Sequence, residues 1–152
     1  MRIHLNSDVL QQKLDQAASR LTDTTPLMKA ISEDLVTESL LNFQSQGRPA
    51  WAGLSPKTKR KGGMILQVSA DGLKASVVGS YTATTSTVGA GSAKSTAYAA
   101  IHQFGGMAGR GRKVKIPERR YLPMDKNGNL QPEAQAAVED ICDYYLSASF
   151  NP

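Results

Sequence analysis

The stretch with the clearest pattern is residues 25–47, which read TPLMKAISEDLVTESLLNFQSQG. Thr25 can cap a helix, and Pro26 suits its first position because the missing N–H would have no partner there. Apolar side chains then recur at helical spacing, which predicts one broad apolar stripe: Leu27, Met28, Ile31, Leu35, Leu40 and Phe43. The other side is expected to be polar: Ser32, Glu33, Thr37, Glu38 and Asn42. Gly47 is a typical stop for a helix of this kind.

Two further helices are predicted, one before this stretch and one near the C-terminal end. Residues 8–21 carry leucines and alanines at helical spacing, and Ser7 is a suitable N-cap. This helix and the one that follows predict an N-terminal helical pair. A last helix is predicted over about residues 132–147, because Pro132 suits a first turn and apolar residues line one face.

Short strands are predicted between these helices. Residues 75–82 and 84–90 are rich in small and β-branched residues, which favours a hairpin of two short strands. Residues 98–104 favour a short helix, and residues 113–116 alternate polar and apolar side chains as a strand does. The order predicts an α+β fold, in which a small, mainly antiparallel sheet is flanked by the N-terminal helical pair and the C-terminal helix.

Length and composition bound the class of protein. A chain of 152 residues predicts a single domain over residues 1–152. Its longest apolar run, residues 97–101, is far shorter than the roughly 20 residues that span a bilayer. The single cysteine, Cys142, excludes a disulfide framework within the chain. These features predict a soluble protein of a reducing cytoplasm, with no membrane partner.

Charge is distributed unevenly along the chain. The formal net charge is +5, but residues 48–120 hold thirteen basic residues and two acids, a net of +11. Residues 1–47 sum to −2 and residues 121–152 to −4, so acidic ends flank a basic middle. Such a positive field attracts polyanions such as nucleic acid. The alternatives are a solvated face, or a patch that pairs with acidic surfaces of neighbouring subunits.

Two clusters supply most of the basic middle, and their cations are the candidate interface or DNA-facing residues. The candidates are Lys57, Lys59, Arg60, Lys61, Arg110, Arg112, Lys113, Lys115, Arg119 and Arg120. No aromatic residue is interleaved with either cluster, as a base-stacking platform would require. Glycine and arginine dominate residues 107–113, and this composition predicts a mobile basic loop.

Residue types that carry catalysis are scarce. The chain has two histidines and no Gly-x-Ser-x-Gly elbow, and neither a Cys pair nor an EF-hand pattern offers a metal site. We therefore expect no enzyme activity, no cofactor, no metal and no catalytic residue. His102 is interpreted as structural, holding the turn at residues 103–105 through a hydrogen bond. Trp51 is interpreted as an apolar plug on the domain, with an interface anchor as the alternative.

Three motifs stand in a characteristic order. Residues 48–59 contain P-x-W-x-x-L-S-x-x-T, residues 98–106 contain Y-A-x-I-H-Q-F-G-G, and residues 116–122 contain I-P-x-R-x-[FY]-L. Together they resemble the virion-morphogenesis, or tail-completion, proteins of tailed bacteriophages, including Mu-like phages. The resemblance marks a set of structural or interface positions: Trp51, Leu54, Tyr98, His102, Gln103, Phe104, Gly105, Pro117 and Leu122.

The resemblance implies a structural role late in phage assembly. It implies a protein of the virion tail or neck, assembled in the host cytoplasm, that completes the head-proximal end of the tail and enables head–tail joining. It also implies a homo-oligomeric ring, with about six copies as the natural guess. Its expected partners are other copies of itself, the tail terminator or tube, the head–tail connector, and packaged DNA in the lumen. A stand-alone DNA-binding protein is the alternative.

Overall fold

Four α-helices and two β-hairpins form the described part of the chain. The computed structural model describes residues 8–56, 63–67, 72–91 and 96–150. The helices are α1 (Asp8–Thr22), α2 (Thr25–Ser45), α3 (Thr96–Phe104) and α4 (Pro132–Phe150). The strands are β1 (Val78–Tyr81), β2 (Ser86–Gly89), β3 (Gly106–Ala108) and β4 (Val114–Ile116). The predicted α+β class is confirmed, and the predicted cap at Ser7 lies outside the described residues.

Helix α2 is the central element, since it packs against α4 and against both strands of the first hairpin. Its N-terminal half contributes Ile31 and Leu35 to an apolar cluster that Ala134 of α4 completes. Its C-terminal half contributes Phe43 to a second cluster with Tyr121. The two clusters therefore share one helix, and α2 connects the halves of the core.

The predicted first hairpin is confirmed, with antiparallel β1 and β2 paired from Val78↔Gly89 to Tyr81↔Ser86. It is attached to α2 by a polar contact, because the Ser32 hydroxyl lies 3.1 Å from the carbonyl oxygen of Ser80 and 3.2 Å from that of Thr87. Gly79 faces the same helix at close range, and a Cβ there would meet the Ser32 hydroxyl at 2.5 Å. Ser32 is therefore buried rather than on a polar outer side.

The second hairpin follows α3 directly. Strand β3 pairs antiparallel with β4, from Gly106↔Ile116 to Ala108↔Val114. Among the described residues the two hairpins share no strand, so the predicted antiparallel strands form two separate two-stranded sheets. Each hairpin lies on its own helix, α2 or α3, and neither meets the other edge to edge. Residues 107–113 are the end of β3 and the hairpin tip, and the mobility of this segment stays a prediction.

The first and last helices pack on each other at the other end of the molecule. Ala17 of α1 is buried, whereas Leu14 and Leu21 remain about half exposed, at 47% and 49%. The Tyr145 hydroxyl of α4 donates to the Asp23 carbonyl at 2.9 Å, which ties α4 to the turn between α1 and α2. No described helix combines the length and the apolarity that crossing a membrane requires.

Helix α2 ends in left-handed backbone, as the predicted stop at Gly47 requires. Gln46 has φ 58° and Gly47 has φ 101°, and the Gly47 N–H donates to the Asn42 carbonyl at 2.8 Å. Glycine enters this region without the steric cost that a Cβ imposes. There is also no room for a side chain at this position, because a Cβ on Gly47 would overlap the indole ring of Trp51.

Gly47→Ala should therefore lower the free energy of unfolding by about 2 kcal/mol, through backbone strain and displacement of Trp51. Urea unfolding followed by tryptophan fluorescence measures this loss. Gly53→Ala is the matched control, because a Cβ there meets no atom within 4 Å. Equal stability of the two variants would show that the turn after α2 does not need glycine.

Candidate functional site

The three sequence motifs meet around one aromatic cluster. Trp51 of the first motif packs edge-on against Phe43, with ring centroids 5.7 Å apart. Tyr121 of the third motif lies 5.4 Å from the same Phe43 ring. The Trp51 indole N–H donates to the Arg120 carbonyl at 3.0 Å, and the Tyr121 hydroxyl donates to the Ala99 carbonyl of the second motif at 3.0 Å. Trp51 is thus partly buried and packs against the core.

Burial raises the pKa of Tyr121 to about 12, so its phenol stays protonated and keeps this hydrogen bond at neutral pH. The other apolar motif residues surround the cluster at lower burial. Leu122 packs against it, and Leu54 and Pro117 are half-buried. At Gly105 the backbone has φ +71°, and a Cβ would lie 3.0 Å from the amide nitrogen of Glu118. This glycine allows the second and third motifs to approach closely.

Gln103 joins the second motif to the end of the third motif through three hydrogen bonds and to Met124, just after that motif, through a fourth. Its Oε1 accepts from the amides of Tyr121 and Leu122, at 3.0 and 2.9 Å. Its Nε2 donates to the carbonyls of Leu122 and Met124, at 3.3 and 2.9 Å. Gln103 is only 1% exposed. Its side chain therefore makes the hydrogen bonds that these backbone groups need, since they have no neighbouring strand and no access to water. One glutamine does here what a strand partner does in a sheet.

The interpretation that His102 holds the turn at residues 103–105 through a hydrogen bond stays a prediction, and the side-chain hydrogen bonds to residues 121–124 come from its neighbour Gln103. His102 Nδ1 is buried and lacks a hydrogen-bond partner among the described residues, and the ring packs edge-on against Tyr98 at 5.9 Å. The His102 backbone contributes instead, because its carbonyl accepts from the Arg119 amide at 2.7 Å. Burial, and then the charge of Arg119, lower the pKa of His102, so the neutral imidazole is favoured.

Arg119 does not belong to the exposed basic surface that was predicted from the sequence. It is buried, and its guanidinium donates to the carbonyls of Ala52 and Gly53 at 3.1 and 3.3 Å. These carbonyls belong to the first motif, so Arg119 fastens the first motif to the third. Arg120 is half-buried and forms an ion pair with Glu118 at 2.9 Å. Its positive charge is partly neutralised within the chain.

A buried polar network was not expected from the sequence. Arg48 forms an ion pair with Glu38 at 2.7 Å, and its Nε donates to Asn42 Oδ1 at 3.0 Å. Asn42 Nδ2 donates to Gln131 Oε1 at 2.8 Å and to the Tyr121 carbonyl at 3.3 Å. Glu38 and Asn42 were placed on the polar outer side of α2, and this is wrong because both are buried. Their spacing of four residues, which puts them on one helix face, is the signal that could have revealed them.

Four predicted cations remain available at the surface. Arg110, Arg112, Lys113 and Lys115 are all exposed, on the hairpin of residues 106–116, which we name the basic hairpin. Its tip uses left-handed backbone at Gly109, Gly111 and Arg112, with φ of 77°, 72° and 51°. Lys57, Lys59, Arg60 and Lys61 lie outside the described residues.

Apolar side chains lie beside these cations. On the basic hairpin, Met107 and Val114 are 49% and 54% exposed, and Phe104 at the end of α3 is 50% exposed. Tyr98 on the same helix is 36% exposed. Cations with apolar groups between them are suited to binding a partner of mixed apolar and acidic character.

The described residues contain no group of three or more metal-ligating side chains that could hold a metal ion. A shallow cleft of about 180 Å³ lies beside Trp51, Glu118 and Arg120, and it is small for a substrate site. The exposed cations and apolar groups of the basic hairpin are suited to binding a protein or a polyanion.

Gln103→Met should lower the free energy of unfolding by about 3 kcal/mol or more, because two backbone amides and two carbonyls lose their buried partner at nearly constant side-chain volume. Urea unfolding monitored by circular dichroism measures the change. Gln135→Met is the matched control, since Gln135 makes only an exposed hydrogen bond to Glu139. A loss below about 0.5 kcal/mol for Gln103→Met would contradict the role of this side chain.

Comparison with known proteins agrees with the motifs. A model of the phage virion morphogenesis family matches residues 5–147. A protein of Haemophilus influenzae, Mu-like prophage FluMu G protein 2, is 38% identical over 141 residues, which cover 92% of this chain and 91% of the relative. No solved structure matches the chain significantly. The chain therefore belongs to the phage virion morphogenesis family.

Proposed function

We propose that this protein completes the head-proximal end of a phage tail and enables head–tail joining, as a ring of about six copies. The family match over residues 5–147 carries the proposal, because it establishes a structural role in virion assembly. The geometry supports it. The motif residues build a rigid core around Tyr121, and the exposed groups on that core are suited to docking rather than to catalysis.

The partners follow from the position that we propose. The ring contacts the tail terminator or tube on one side and the head–tail connector on the other, and it stays in the neck of the virion. The basic hairpin is the candidate contact surface, because its four cations are exposed and their charge is not neutralised by an ion pair among the described residues. The same cations also favour contact with packaged DNA in the lumen of the ring.

Electron microscopy of an induced lysate, prepared from a phage that lacks this gene, tests the proposal. We expect filled heads beside complete, unattached tails, because the tail would lack the component that docks to the head. Supplying the wild-type gene in trans is the control and should restore joined particles. Normal joined particles in the absence of the gene would overturn the proposal.

A stand-alone DNA-binding protein is the second candidate, and the four exposed cations of the basic hairpin favour it. If all four contact phosphates, affinity for duplex DNA should fall with salt with a log–log slope of about −3.6. Arg110→Ala, Arg112→Ala and Lys113→Ala together should then reduce the magnitude of the slope by about 2.7. A purified protein with no salt-dependent affinity for duplex DNA would exclude this candidate.

A further inference from the structure

We propose that the basic hairpin of one copy docks on the C-terminal helix α4 of a second copy. The proposal deepens the proposed function, on which it rests, by naming the surfaces that join neighbours in the ring. The contact uses two different surfaces of the chain, so it is heterologous, and repeating it closes a ring when the rotation permits.

Helix α4 offers an exposed acidic surface, which we name the acidic face. It consists of Glu133, Glu139, Asp140 and Asp143, all exposed, and the helix carries no lysine or arginine. Glu139, Asp140 and Asp143 lie within about 100° of one another around the helix, at 100° per residue. The acidic face thus carries a charge of −4 and the basic hairpin +4.

Among the residues that the structure describes, neither surface forms an ion pair within its own copy. The ion pairs among the described residues are Lys29–Glu33, Arg48–Glu38 and Arg120–Glu118, and none of them involves a residue of either surface. The two surfaces also belong to separate parts of the fold. The basic hairpin packs on α3, whereas α4 packs on α1 and α2. Both charged surfaces are therefore available to a neighbouring copy.

Apolar groups accompany the charge on both surfaces. Met107 and Val114 of the basic hairpin are about half exposed, and on α4 Tyr144 is 76% exposed beside Asp140 and Asp143. At 100° per residue Tyr144 lies at one edge of the acidic face, where it is free to contact the exposed apolar groups of the basic hairpin while the charges meet. Protein interfaces combine apolar and polar contacts in this way.

This composition favours a second copy over DNA as the partner. A phosphate backbone requires only cations, and it leaves the exposed Met107 and Val114 without an apolar partner. The acidic face, in contrast, would be repelled by DNA in any arrangement that placed it on the inner surface of the ring. A second copy uses both surfaces at once and leaves neither charge unbalanced.

The test measures self-association of the purified full chain by sedimentation velocity. The hairpin-reversed variant is Arg110→Glu, Arg112→Glu and Lys113→Glu, and the helix-reversed variant is Glu139→Lys, Asp140→Lys and Asp143→Lys. Glu133 is left unchanged because its carboxylate lies at the positive end of the helix dipole. Lys29→Glu, Lys74→Glu and Lys126→Glu form the matched control for the hairpin-reversed variant, because they make the same change in net charge at exposed sites elsewhere.

We expect each reversed variant alone to associate at least about 100-fold more weakly than the wild type, since like charges then face each other. The matched control should associate as the wild type does. Mixing the two reversed variants, or combining both reversals in one chain, should restore association, because opposite charges meet again. Circular dichroism confirms that each variant is folded.

Three results would overturn the proposal: a monomeric wild type at low salt, unchanged association of the reversed variants, or no restoration when both reversals are combined. A hairpin-reversed variant that loses only duplex-DNA binding while it still associates would assign the hairpin to DNA instead. These outcomes are independent of the deletion lysate. Unjoined heads and tails there, together with charge-insensitive association here, would retain the head–tail role and reject only this interface.

Discussion

The amide of Asn42 is the interaction on which the rest of this structure depends. It is fully buried near the end of α2, where it accepts from Arg48 and donates to Gln131 and to the Tyr121 backbone. Arg48 follows Asn42 by 6 residues, whereas Tyr121 and Gln131 follow it by 79 and 89 residues. One side chain therefore joins the end of α2 to the turn after it and to two positions far along the chain. A buried polar group is costly unless all its partners are present. The network therefore favours one arrangement of the chain over others of equal apolar burial.

The motifs that identify the family are mostly the material of this core. Trp51, Gln103 and Tyr121 each come from a different motif, and each contacts backbone or ring atoms of another motif. Their residue types are explained by packing and by backbone hydrogen bonds, without any chemistry at a substrate. Side-chain hydrogen bonds thus hold the irregular segments of the chain together, and two charged surfaces are exposed around them.

The helices were predictable from the sequence because their apolar spacing and end residues are local signals. The predicted cap at Thr25 is wrong by one residue, because Thr25 is the first residue of α2 and Thr24 is its N-cap, without a side-chain capping hydrogen bond. Gly47 follows the end of α2 as predicted, and α4 exceeds its predicted end by three residues. The polar interior was not predictable, because Glu38, Asn42 and Arg119 are buried by contacts with residues distant in sequence. For the same reason Arg119 could not be separated from its exposed neighbours in the basic cluster. The exposure of Arg110, Arg112, Lys113 and Lys115 agrees with their position at a glycine-rich tip.

The account makes this protein a ring component at the joint between head and tail. Cryo-electron microscopy of the intact virion, resolved at the joint, tests that claim most directly. The account predicts a closed ring of this chain between connector and tail, with residues 106–116 of each copy against residues 132–150 of the next. A joint without this chain, or a ring whose basic hairpins reach only the DNA, would contradict it.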